Sequence, residues 1–274
     1  MLSIKFESSE RGDSLNWVKE EIIKNDLDLL AFEGYTVKDD KVSLLLDRGC
    51  LNDECEDIDE QRLFETLNSD SSFNLQAKVE LSDRLNCSYV FLCYSYINEK
   101  TELFEIDSSK ASRIASFETR KAFGEWTMQF RDLVMSSQYE ESGLPKIDKN
   151  LRALKLPWPG NLDYALLKKS KPTALIEFQR TSKAPVQKHC NNTWFLPSGY
   201  RKGDVNRWLA IDIIRKQSGL PLFIIVWSTK EEEVKLKLVD KIVYPKDPEP
   251  KKGLIYKKKE VMSIDRMIEI LNRY

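Results

Sequence analysis

The chain has 274 residues, 41% of them hydrophobic, enough to bury one large core or two modest ones. Its longest apolar run, Leu220 to Trp227, falls far short of the roughly 20 residues a membrane helix needs, so no membrane span is expected. The net charge of -1 conceals a division: residues 1–107 hold 25 acids and 11 bases, net -14, and residues 108–274 hold 19 and 32, net +13.

The opening MLSIKFESSERGDSLNW has neither a basic nor an apolar leader region, so no secretory signal and a cytoplasmic location are expected. LSIKF reads as a strand, Ser14 to about Leu30 as a helix, and LLAFEGYTV and KVSLLLD as strands separated by Asp39-Asp40. An acidic loop from Asn52 to Glu60 leads to a short helix near Arg62 to Leu67, then to strands near Asn74 to Leu81, Ser88 to Ile97 and Glu102 to Ile106. This acidic α/β region shows no repeat, low-complexity tract or chemical motif.

At Asp107-Ser108-Ser109 an N-cap pattern begins a predicted helix from about Lys110 to Met135, with Ala111, Ile114, Ala122, Phe123, Trp126 and Phe130 on one stripe. Two strands follow within residues 161–180, then a long loop from Arg180 to Gly203. A helix capped by Asp204 ends before Gly219 and Pro221, and LPLFIIVW reads as a central strand. VKLKLVD and KIVYP read as edge strands, and Ile264 to Leu271 as a last helix. The expected organisation is an N-terminal α/β region, residues 1–107, and a basic domain, residues 108–274, whose core runs α-β-β-α-β.

Five cysteines without a CxxC pair read as free thiols, and the spacing of Cys50 and Cys55 suits no zinc site. The sole histidine, His189, gives no support to a catalytic triad.

The chemistry is carried by "NLDYALLKKSKPTALIEFQRTSK", residues 161–183. With Lys169-Ser170-Lys171 as a three-residue hairpin loop, Lys168 faces Pro172 and Asp163 falls opposite Glu177. Side chains alternate along a strand, so Gln179 joins Glu177 while Ile176 and Phe178 enter the core. Two acids directly opposite destabilise a hairpin by ~0.2 to 1 kcal/mol. A divalent cation such as Mg²⁺ offsets that, and could activate water and stabilise charge on phosphorus.

In this order of elements, Pro159-Gly160-Asn161-Leu162-Asp163 and Glu177-Phe178-Gln179 resemble the two motifs of the PD-(D/E)XK nuclease superfamily, over roughly residues 108–229. The resemblance implies a restriction-endonuclease-like fold with a mixed central sheet flanked by helices. It also implies a Mg²⁺-dependent endonuclease, with Mn²⁺ able to substitute, acting on DNA in preference to RNA and serving restriction or defence. Asp163 and Glu177 would hold the metal, with Glu118 or Glu125 as a further helix acid. Gln179 stands in the slot usually filled by lysine, so it would serve as the water partner, or a cation would come from Lys183, Lys202 or Arg207. Residues Lys188, Trp194, Tyr200, Arg201, Lys202 and Arg207 combine cations with rings and suit nucleic acid. The acidic region would meet a protein partner or a dimer mate, or cover the basic surface. The alternative is a noncatalytic nucleic-acid-binding or assembly protein on a decayed nuclease core.

Overall fold

The structure is a computed structural model that describes residues 2–6, 16–22, 24, 27–52, 58–133, 144–160, 162–182, 184–189, 202–244 and 253–274, with the side chains of 202–204 excepted. In chain order the first elements are β1 (Ile4–Phe6), a π-helical turn α1 (Val18–Ile22), β2 (Asp28–Leu30), β3 (Gly34–Lys38), β4 (Lys41–Leu51), α2 (Glu60–Ser69) and α3 (Leu75–Leu85). Next come β5 (Ser88–Ser95), β6 (Thr101–Ile106), β7 (Ala111–Phe117), α4 (Arg120–Met128) and α5 (Lys146–Ala153). The remainder comprises β8 (Tyr164–Lys168), β9 (Lys171–Arg180), α6 (Lys202–Ser218), β10 (Leu222–Trp227), β11 (Glu233–Val243), β12 (Gly253–Ser263) and α7 (Ile264–Leu271).

The protein is α/β, with two mixed sheets in two compact units. One unit is Met1–Glu10 with Phe32–Asn161, and the other is Arg11–Ala31 with Leu162–Tyr274. The boundary expected at 107/108 falls instead inside one sheet, between the paired strands β6 and β7. The charge division survives the correction: the first unit holds 26 acids and 17 bases, net -9, and the second 18 and 26, net +8.

In the first unit the sheet order is β1-β4-β5-β6-β7, with β3 also on β4. The β3–β4 hairpin turns through Asp39 and Asp40, both at positive φ (51° and 57°), and a register shift follows Thr36. β4 and β5 are parallel, and parallel neighbours need a crossover, here α2 and α3. That requirement decides the segment read as a strand from Asn74 to Leu81: it forms α3 and buries Leu75, Lys78, Val79, Ser82 and Leu85 at helical spacing.

The helix expected over 110–135 is divided. Asp107 accepts from the N–H and hydroxyl of Ser109 and the N–H of Lys110. The same side-chain grammar that caps helices here closes the β6–β7 hairpin. β7 takes residues 111–117, and α4 starts only after Thr119, whose hydroxyl accepts from Ala122 N–H at 3.2 Å. Similarly, the helix expected from Ser14 to Leu30 is the short α1 and then β2, with residues 23 and 25–26 outside the described residues.

In the second unit the order is β12-β11-β10-β9-β8-β2. β11 is not an edge: it runs unbroken over 233–243 between β10 and β12. One face buries Ile176, Phe178, Phe223, Ile225, Trp227 and Leu236 in a core that includes Met267 of α7, with Trp17 stacked on Trp227 at 5.0 Å. α6 crosses over to make β10 parallel to β9.

The two units follow the same path, which the sequence reading missed. Each contains a hairpin whose two turn residues have positive φ, Asp39-Asp40 in one and Lys169-Ser170 (53° and 62°) in the other. Each hairpin closes on a lysine pair, Lys38↔Lys41 and Lys168↔Lys171, and each shifts register one step later. In each the second strand then pairs in parallel with the strand after a helical crossover, and two antiparallel strands follow. A helix comes next, α4 in one and α7 in the other. Glu33 and Asp47 thereby occupy the positions of Asp163 and Glu177.

Candidate functional site

Glu177 lies in β9 between Ile176 and Phe178, which enter the core, so alternation turns Glu177 and Gln179 to the opposite sheet face. Asp163 immediately precedes β8. The hairpin turn has two residues rather than the expected three, but the register shift between Leu166 and Leu167 restores the pairing Tyr164↔Ile176. One step outward, Asp163 stands opposite Glu177. The two are laced together: Phe178 N–H donates to Asp163 Oδ2 at 2.6 Å, and Asp163 N–H donates to the Glu177 carboxylate.

Glu177 has 0% exposure. Burial pushes its carboxyl up to about 8, the Arg207 guanidinium pulls it back, and Asp163 adds to the rise. Arg207, from α6, donates to Oε1, while the buried Oε2 has no hydrogen-bond partner among the described residues. A buried carboxyl oxygen with no partner keeps a proton, and to ionise it needs a cation or a donor. The pair therefore fits a cation that takes one or two carboxylates and fills its shell with water and substrate oxygens, as Mg²⁺ does. Among the described residues no group of three or more His, Cys, Asp or Glu could hold a metal, which leaves a closed structural site without ligands.

Two buried lysines, unexpected from the sequence, share this face. Glu177 pairs with Ile224, which pairs with Lys237, and Gln179 pairs with Val226, which pairs with Lys235. Paired residues point the same way, so both lysines lie on the acids' own face, two strands away at matching heights, a span of about 10 Å between backbones. Lys237 is 1% exposed, and its ammonium donates to His189 Nδ1 at 3.0 Å. Lys235 donates to the carbonyls of Gln187 and His189. Burial, then the charges of Lys237 and Lys235, holds His189 down to about 4. The alternation in VKLKL carried this signal; it was obscured by reading the strand as an edge, where lysines face water.

Of the other expected residues, Arg207 is bonded to Glu177 rather than displayed for a phosphate, and Lys188 is exposed at the end of a 3₁₀ turn, Val186–Lys188. Glu118 and Glu125 belong to the first unit; Glu118 is exposed, and Glu125 faces Lys121 at 3.6 Å. Lys183, Trp194, Tyr200, Arg201 and the side chains of Lys202 and Asp204 lie outside the described residues.

No family model matches the chain, and neither a curated protein nor a solved structure matches it. No helix among the described residues is long and apolar enough to cross a membrane.

Proposed function

We propose that the second unit is a divalent-metal-dependent nuclease of the PD-(D/E)XK type, acting on nucleic acid, with DNA favoured. The observation that carries this reading is the buried, interlocked pair Asp163 and Glu177, with Oε2 of Glu177 unmet among the described residues. The order α1, β2, β8, β9, α6, β10 supports it, because it contains the helix-strand-strand-helix-strand path of that family, with α1 in place of residues 110–135. The net charge of +8 on this unit supports a polyanionic substrate.

Asp163 and Glu177 would hold Mg²⁺ or Mn²⁺, which when bound activates water and stabilises charge developing on phosphorus. Gln179, on the same face, orients the attacking water through its amide. Lys237 and Lys235 supply the positive charge that the family's lysine ordinarily brings. Arg207 balances the charge of Glu177 in the metal-free chain.

The direct experiment is incubation with plasmid, linear, single-stranded and RNA substrates plus Mg²⁺ or Mn²⁺. Cutting that disappears in Asp163→Ala and Glu177→Ala supports the reading; no cutting, or cutting indifferent to both, refutes it. The pairing of Arg207 with Glu177 favours one second reading, a noncatalytic nucleic-acid-binding or assembly protein, since it balances the buried charge without metal. Salt-sensitive binding with neither cleavage nor metal affinity distinguishes it.

A further inference from the structure

The first unit holds a counterpart of the site, and three features close it. Asp47 occupies the place of Glu177, and the backbone N–H of Glu33 donates to Asp47 Oδ1 at 3.0 Å, as Asp163 N–H does to Glu177. Here, however, the cation is part of the chain. Lys78, from the crossover helix α3, is 5% exposed and places its ammonium 2.7 Å from Asp47 Oδ2, which also accepts from Tyr89 Oη at 2.8 Å.

The second feature is the edge. In the first unit β1 continues along β4 beyond β3, pairing Phe6 with Gly49. A Cβ on Gly49 would lie 2.3 Å from Ile4 Cγ2 and 2.9 Å from Phe91 Cζ, so β1 sits where a side chain equivalent to Gln179 would start. The third is the basic pair: following the same strand pairings, Lys237 is replaced by Phe104 and Lys235 by Glu102. Glu33, at the place of Asp163, is engaged by Arg48, which also binds Asp148 and lies over Trp158 at 4.4 Å.

We propose that the chain carries one acid-pair site twice, and that in the first unit the Lys78 ammonium permanently holds the cation position. The protein would then take one divalent cation per chain, in the second unit only. The single-site count rests on the proposed function of the second unit, whereas the role of Lys78 does not.

Mn²⁺ binding separates the two. Wild-type protein should bind one Mn²⁺, and Asp163→Asn with Glu177→Gln should bind none. Lys78→Met should add one Mn²⁺ and a Mn²⁺-dependent rise in Tm, both lost on adding Asp47→Asn. If Lys78→Met is unfolded without metal, refolding on addition of Mn²⁺ but not on addition of metal-free buffer is the same result. The inference is overturned if the Asp163→Asn, Glu177→Gln protein keeps a Mn²⁺ that Asp47→Asn removes, or if Lys78→Met neither gains Mn²⁺ nor responds to it. A wild type that binds none while Lys78→Met binds one would refute the function proposed for the second unit and sustain the role of Lys78.

Discussion

Arg207 donates to Oε1 of Glu177, joining a guanidinium with 32% side-chain exposure to a carboxylate with none. The pair is lopsided: one partner reaches solvent, and the other is sealed within the sheet. A divalent cation at the proposed site between Asp163 and Glu177 would therefore compete with a partly exposed cation rather than with a buried one. In the first unit the competing ammonium, Lys78, is itself buried.

Glu177 sets the pH dependence. Its carboxyl is raised from the ordinary 4.5 to about 8, so between those values the folded chain binds a proton that the unfolded chain has released. In metal-free protein its contribution to stability is fully present below about 4.5 and is lost as pH rises through about 8. Affinity for the proposed metal should run oppositely, because the cation needs the ionised form. Calorimetric titration with Mn²⁺ should show affinity rising about tenfold per pH unit below pH 8 and flattening above it, with release of a proton; a flat profile from pH 6 to 9 contradicts the raised carboxyl.

Removing Arg207 withdraws the group that pulls this carboxyl down. In Arg207→Gln the midpoint of Mn²⁺ affinity against pH should move upward from the wild-type value. An unchanged midpoint would mean that the guanidinium does not control Glu177.

Glu177→Gln should abolish metal binding without harming the fold. At pH 9 the buried charge it removes is present, whereas at pH 6 the carboxyl is already protonated. The variant should therefore gain more in Tm at pH 9 than at pH 6, the behaviour of a site that costs stability. A large loss of Tm at both pH values would mark Glu177 as a structural residue.

Lys237 and Lys235 should separate catalysis from binding. Lys237→Met is expected to keep Mn²⁺ affinity and lower cutting roughly 10²-fold or more, the scale of losing one preorganised charge. An effect on Tm alone, with cutting intact, would assign Lys237 to packing against His189. His189 itself, held down to about 4 from 6.5, is protonated in the unfolded chain before the folded one, so its contribution weakens the fold as pH falls below 6.5 and on through 4.

Much of the second unit could be read from residues alone. β10, apolar on both faces, and α7, with its Ser263 cap, lie where periodicity placed them. The opposition of Asp163 and Glu177 was also legible, although by a three-residue loop where the chain uses a two-residue turn and a register shift with the same net effect. Glycine is the usual bearer of positive φ in such turns, and neither Lys169-Ser170 nor Asp39-Asp40 advertises one. Ser170→Gly should accordingly stabilise the chain by about 0.5–1 kcal/mol in denaturant unfolding. Non-local pairing hid the rest: β7 and α3 took their states from the neighbours they met, and the repeated path shares little between its hairpins beyond the acids and the closing lysines.

The site's central claim is most directly tested by anomalous diffraction from a crystal soaked in Mn²⁺. The expected map has one strong peak at coordination distance from both Asp163 and Glu177, with Arg207 moved off Oε1. A map with no peak between those carboxylates, and Arg207 still on Glu177, would contradict it.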